Sequence, residues 1–134
     1  MANKIYPKWK EALLQASSDS ALTGTVKVAL VDLGAYTYND AHDMLDDISG
    51  VVGTAQTLAS KTYTNGYFDA GDAVFSAVSG ATVEALIIYI DTGTPSTSRL
   101  VAYLDTGFTG LPVTPNGGDI TVQWDAAGIF RIGA

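Results

Sequence analysis

Two tripeptides carry the sharpest chemical suggestion in this chain. Asp91-Thr-Gly93 and Asp105-Thr-Gly107 each follow an apolar run, so each would set a carboxylate at the mouth of a strand. Two such carboxylates held face to face share one proton, and the ionised one can activate water against a peptide carbonyl. A second suggestion is the lone histidine, His42, with Asp40, Asp43, Asp46 and Asp47 around it. Imidazole and carboxylate oxygens in one place are the donor set of a divalent cation.

Each suggestion meets a plainer reading. Asp91 and Asp105 stand 14 residues apart, the spacing of neighbouring strands in one hairpin, whose turns lie at opposite ends of a sheet. Aspartic proteases draw their two aspartates from separate lobes or subunits and follow the glycine with Ser or Ala; here Thr94 and Phe108 follow, and Ile129-Phe-Arg-Ile-Gly133 lacks a convincing downstream hydrophobic-Gly element. A three-residue motif is a weak signal. The same form recurs in Val28-Ala-Leu-Val-Asp-Leu-Gly34, which fits a strand-end turn where Asp accepts backbone hydrogen bonds and Gly supplies a positive φ. Around His42 the alternating acidic positions and glycine turn of a calcium loop are absent, and a solvated acidic face accounts for the carboxylates. No Gly-x-Ser-x-Gly elbow exists to build a triad on His42, and Asn116-Gly-Gly118 is a turn without the Lys-Ser/Thr of a phosphate loop. With no cysteine, disulfides, thiolate nucleophiles and Cys-based zinc sites are out. We therefore expect no catalytic, metal or cofactor site and a protein that is not an enzyme.

What remains is surface. Seven Lys and Arg against fourteen Asp and Glu give a net charge of -7, the wrong sign for affinity built on phosphate contacts, so no nucleic-acid partner is expected. The longest strongly apolar stretch, Ala85 to Ile90, is far shorter than the roughly 20 residues a membrane helix needs, and nothing near the start looks like an export signal. Aromatic residues gather in or beside expected turns, where a tyrosine ring offers contact area and its hydroxyl a hydrogen bond. Tyr6, Pro7, Trp9, Tyr36, Tyr38, Tyr67 and Phe108 are the candidate partner-interface residues, with Trp9 the best single anchor.

The elements that would position them follow from periodicity. At 134 residues and 47% hydrophobic composition, one core is expected, with a helical arm over 1–23 and a β body over 24–134. Pro7 to Ala16 reads as a helix, since Trp9, Ala12, Leu13 and Ala16 share a face behind a proline in the first turn. Asp40 to Ile48, capped by Asn39, reads as a second, with Ala41, Met44, Leu45 and Ile48 opposite the carboxylates. Nine strands are expected, at Thr25 to Leu33, Val51 to Leu58, Lys61 to Thr64, Tyr67 to Phe68, Ala73 to Val78, Val83 to Ile90, Arg99 to Leu104, Ile120 to Trp124 and Ile129 to Ile132. Short strands without βαβ alternation argue for a mainly β, antiparallel sandwich or jelly roll, and the run from Val83, apolar on both faces, for a central strand.

The ordered string also carries a resemblance. Met1 to Gln15, Gly24 to Asp32, Ala35 to Tyr38, Val83 to Leu86, Tyr89 to Gly93, Ser98 to Tyr103 and Leu111 to Val122 together resemble a family of small virion-structural proteins encoded by tailed bacteriophages, over nearly the whole chain. Size, acidity and β content look like those of capsid decoration (cement) proteins. The resemblance implies a chain made in the bacterial cytoplasm and carried on the capsid surface. There it would bind the major capsid protein, bridge capsomers and act as a homo-oligomer, dimer or trimer. The alternatives are a tail, neck or baseplate accessory or a receptor-binding module and, from a different class, an aspartic-protease-like enzyme using Asp91 or Asp105.

Overall fold

The computed structural model describes residues 3–131; Met1, Ala2 and Ile132 of the last expected strand lie outside them. Within that range run β1 (Lys4–Ile5), α1 (Pro7–Leu14), β2 (Val26–Val31), β3 (Val51–Thr57), β4 (Tyr67–Phe68), β5 (Ala73–Phe75), β6 (Ala85–Ile90), β7 (Arg99–Leu104), β8 (Phe108–Thr109), β9 (Ile120–Trp124) and β10 (Phe130–Arg131). Every strand pairing is antiparallel. The chain is mainly β, as its pattern predicts.

The largest sheet has the order β1-β7-β6-β2-β3. A strand without a polar face can only be accommodated where both faces are covered, and β6 has all six residues buried between β7 and β2. Its neighbours are nearly as deeply buried. A three-stranded sheet, β5-β9-β8, and the pair β10-β4 complete the fold. β3 runs alongside β5, and one continuous hydrophobic cluster takes residues from all three sheets and from α1.

The expected N-terminal arm is part of this body. Lys4 and Ile5 pair with Tyr103 and Ala102, and the Tyr6 N–H continues the ladder by donating to the Val101 carbonyl at 2.9 Å. Asn3 closes the end of the sheet, its Oδ1 accepting from the Asp105 and Thr106 N–H groups. Helix α1 opens on Pro7 and ends two residues before the expected limit, because Ala16 turns left-handed (φ 53°). There the Ser17 and Ala16 N–H groups donate back to the Ala12 and Leu13 carbonyls, the Schellman arrangement that satisfies last-turn acceptors. Arg99 then ties α1 and its trailing loop to β7, through a 2.9 Å ion pair with Asp19 and a contact to the Lys8 carbonyl.

The second expected helix is not formed. Over 40–48 the only helical element is a 3-10 turn at Leu45–Asp47. Short acidic side chains compete for backbone donors, and Asp47 Oδ2 accepts from the Asp43 and Met44 N–H groups while Asn39 Oδ1 accepts from that of Ala41. The hairpin end of β7 claims the rest: Met44 bridges Arg99, the Leu45 N–H donates to the Ser98 carbonyl, and the Leu100 N–H to that of Asp43. The carboxylates thus sit on a loop rather than on a helical face. The expected strand at Lys61 to Thr64 is likewise a single bridge, Thr62 to Asp69, followed by a turn in which Asn65 has φ 56°. Lys61 spends its ammonium on the Leu22 and Gly24 carbonyls. The two-residue strands β1 and β8 carry no periodicity that sequence could reveal, and Val83 forms one bridge to Val113 ahead of β6.

Candidate interaction surfaces

The seven aromatic and proline candidates divide into an interior set and a surface set. Tyr6, Trp9 and Tyr36 are buried, with no more than 3% of their surface exposed. This corrects their assignment as docking residues, because a ring without exposed area has none to offer a partner. Trp9 sits edge-on to Phe130 at 5.8 Å and donates its indole N–H to the Ser20 carbonyl at 2.9 Å. The reason lies in the register of β1: pairing with β7 sends Tyr6 and the first turn of α1 inward, where aromatic area stabilises most.

Tyr6 and Tyr36 make a polar strut inside that core. Their hydroxyls meet at 2.8 Å, and Tyr36 Oη contacts His42 Nδ1 at 2.7 Å. Tyr38, half-buried, packs between Tyr6 and Tyr103 and donates to Asp40 Oδ1. Burial holds the phenols of Tyr6, Tyr36 and Tyr38 protonated well above the usual range, and burial together with the Asp105 carboxylate pushes Tyr103 up to about 12. Backbone donation from Asp43, the main cause, draws the Asp47 carboxyl below the usual carboxylate range. Neutral, hydrogen-bonded hydroxyls fix the 36–42 loop against the first residues of the chain's body and β7.

The carboxylates of the two Asp-Thr-Gly turns are not brought together. Leu86 pairs with Leu104 and Ile90 with Arg99, so Asp91 and Asp105 lie at opposite ends of the β6–β7 hairpin, roughly 20 Å apart at ~3.4 Å per residue. Asp91 accepts from the Gly93 N–H at 3.1 Å and pairs with Lys27 at 3.4 Å. Asp32 accepts from the Gly34 N–H in the same way. Gly93 and Gly107 do take positive φ, at 90° and 82°, whereas Gly34 does not. Among the described residues no group of three or more His, Cys, Asp or Glu is placed to hold a metal ion.

Two surface hollows are aromatic. The first, about 120 Å³, is lined by Leu22, Tyr63, Gly66, Tyr67, Phe68 and Phe130. Its floor continues into the core through the ring contacts Tyr63 to Phe68, Phe68 to Phe130 and Phe130 to Trp9. Tyr63 is 46% exposed with its hydroxyl on the Leu22 carbonyl, and the Arg131 guanidinium stands 5.6 Å from the Tyr67 ring. The second is an open groove of about 440 Å³ lined by Asp72, Gly107, Phe108, Thr109, Gln123, Trp124 and Asp125. Of the expected interface residues, Tyr67 belongs to the first and Phe108 to the second; Pro7 and Tyr38 are half-buried outside both. Trp124 escaped the sequence reading because it sits within a strand pattern, and Leu22 because a lone leucine in a loop carries no signal. No helix of the described residues is long and apolar enough to cross a membrane. No protein-family model and no curated protein matches the chain.

Proposed function

We propose that the chain is a bacteriophage virion structural protein, a capsid decoration (cement) protein. In this reading its sheets pack as a β-sandwich of jelly-roll type, and it binds the outer shell of the major capsid protein and bridges capsomers as a dimer or trimer. The family resemblance supports the virion assignment. The observation that supports the docking mode is the apolar recess beside Tyr63, at about 120 Å³ sized for one inserted side chain. An anchor of that kind contributes ~1.5–3 kcal/mol per copy, and many copies sum their contacts against the pressure of a packaged genome. Lys4, Lys8 and Lys10 are three of the seven cations and would turn the N-terminal edge toward an acidic neighbour.

The test is the copy number and position of the chain in an electron-microscopy map of the particle, with Tyr63→Ser compared to wild type. Hundreds of copies over the shell, and weaker retention of the variant, are expected; a few copies per virion would overturn the reading. Resistance of heads to heat and pressure that is unchanged after stripping would remove the stabilising role. A receptor-binding module elsewhere in the virion is the second reading, favoured by the open Trp124 groove. The protease reading requires peptide cleavage between about pH 4 and 7 that Asp91→Asn or Asp105→Asn abolishes, and we expect none from the wild type.

A further inference from the structure

The groove on the β8–β9 ribbon is lined by two rings that pack against the core yet stay partly open to solvent. Phe108 and Trp124 are directly opposite in the pairing, with ring centroids 6.2 Å apart and planes at 73°. Trp124 stays only half-buried, whereas Trp9 is 1% exposed. Its ring is nevertheless anchored by Nε1, which donates to the Gly71 carbonyl at 3.0 Å, and its strand by the backbone N–H, which donates to Asp72 Oδ1 at 3.2 Å. An indole anchored through its Nε1–H and lining an open hollow is a preorganised stacking platform, since less of its freedom is left to lose on binding.

The rim is polar but carries no cation. Thr109 and Gln123, the next pair along the ribbon, turn to its other face and meet each other, Thr109 Oγ1 standing 3.5 Å from Gln123 Oε1, while Asp72 and Asp125 complete the lining. One oxygen of each carboxylate is engaged by backbone, Asp72 Oδ1 by Trp124 and Asp125 Oδ1 by Ala127, which fixes the second oxygen as an acceptor for a ligand hydroxyl. An aromatic face for C–H groups, with carboxylate oxygens near it to accept hydrogen bonds from hydroxyls, is complementary to a sugar ring. The two carboxylates, with no Lys or Arg in the lining, repel phosphorylated and acidic sugars. At about 440 Å³ the groove lies within the usual range of ligand sites and has room for roughly two pyranose rings.

We propose that this groove binds a neutral saccharide, one pyranose stacking its C–H face on Trp124 beside Phe108 while Asp72 and Asp125 accept hydrogen bonds from its hydroxyls. The site shares no residue with the Tyr63 recess and does not depend on where in a particle the chain resides.

The chain's two tryptophans make the test direct, because Trp9 is buried and a ligand in the groove perturbs Trp124. The full chain is titrated with cellotetraose, maltotetraose and chitotetraose as neutral probes, and with trigalacturonic acid and spermidine as charged ones. Emission and backbone amide shifts are both read. At least one neutral probe should saturate with a Kd below about 10 mM, shift the amides of Thr109, Gln123 and Trp124, and bind at least fivefold more weakly to Asp125→Asn. Asp125 is exposed, and asparagine keeps an oxygen for the Ala127 N–H, so that variant keeps the fold; Phe108→Ala, checked by near-ultraviolet circular dichroism, is the second. No saturable response to any neutral probe would overturn the proposal. So would a response to spermidine alone, amide shifts that map outside the groove, or undiminished binding by both variants.

Discussion

Trp9 is where the residue type and the fold disagree most, and its removal measures which is right. Trp9→Ala deletes a side chain that is 1% exposed, packed edge-on against Phe130 and hydrogen-bonded to the Ser20 carbonyl. Truncating a buried large aromatic costs ~3–5 kcal/mol, and the orphaned carbonyl adds ~1 kcal/mol or more. A total of about 5 kcal/mol is a large share of the ~5–15 kcal/mol that holds a domain of this size together. Trp9→Phe keeps most of the ring and loses the N–H, so its cost should be about 2 kcal/mol. At ~3–5 °C per kcal/mol, Tm should fall by roughly 6–10 °C for Trp9→Phe and by at least twice that for Trp9→Ala. Urea unfolding followed by far-ultraviolet circular dichroism on the isolated chain gives both values, with an unchanged m-value expected for the phenylalanine variant. A loss below ~1 kcal/mol for Trp9→Ala would refute the buried placement and return Trp9 to the docking surface, where its loss would weaken partner binding and spare stability.

Four further outcomes follow from the same contacts. Tyr6, Tyr36, Tyr38, Tyr89 and Tyr103 have phenol pKa values raised by burial, so the stability they contribute is complete below the ordinary value near 10 and is lost as pH rises through the folded values, about 12 for Tyr103. Absorbance at tyrosinate wavelengths should therefore rise for these five only as near-ultraviolet circular dichroism collapses; full ionisation near pH 10 in a folded chain would contradict the strut. Asp47 behaves oppositely, its depressed carboxyl contributing stability above the ordinary aspartate range and losing it as pH falls through the folded value. Acid titration of Asp47→Asn should show a shallower loss of Tm than wild type. Ser98 is fully buried, its Oγ accepting from the Thr92 N–H and donating to the Thr94 carbonyl, so Ser98→Ala should cost ~2 kcal/mol by urea unfolding. Gly110 has φ 115°, and a Cβ there would overlap the Thr121 carbonyl oxygen. Gly110→Ala should therefore destabilise by at least ~2 kcal/mol and broaden the amide signals of β8 and β9.

Much of this molecule is legible before any coordinates. The uninterrupted apolar run of β6 marks a strand covered on both faces, and Arg99 to Leu104 and Ile120 to Trp124 end where their patterns end. In each case local pattern and tertiary environment demand the same thing, because a side chain that alternates or never turns polar has few places to go. The spacing of Asp91 and Asp105 also foretold that one hairpin would hold them apart, since antiparallel pairing places successive turns at opposite ends. The Asp40 to Ile48 segment fails for the converse reason: its helical spacing is genuine, but the β7 hairpin offers Met44, Leu45 and Asp43 better backbone partners than so short a helix could.

The candidate sites follow the same division. Sequence alone determined an acidic, cysteine-free, mainly β chain with its aromatic residues near turns, since composition and period are properties of the string. Which aromatics face water was decided only by tertiary structure. The register of a two-residue strand sends Tyr6 and Trp9 into the core, and a β8 too short to have a period brings Phe108 across from Trp124. Burial depends on what lies across a sheet from a residue, and that neighbour, whether Val101 for Tyr6 or Phe130 for Trp9, stands more than 90 positions away along the chain.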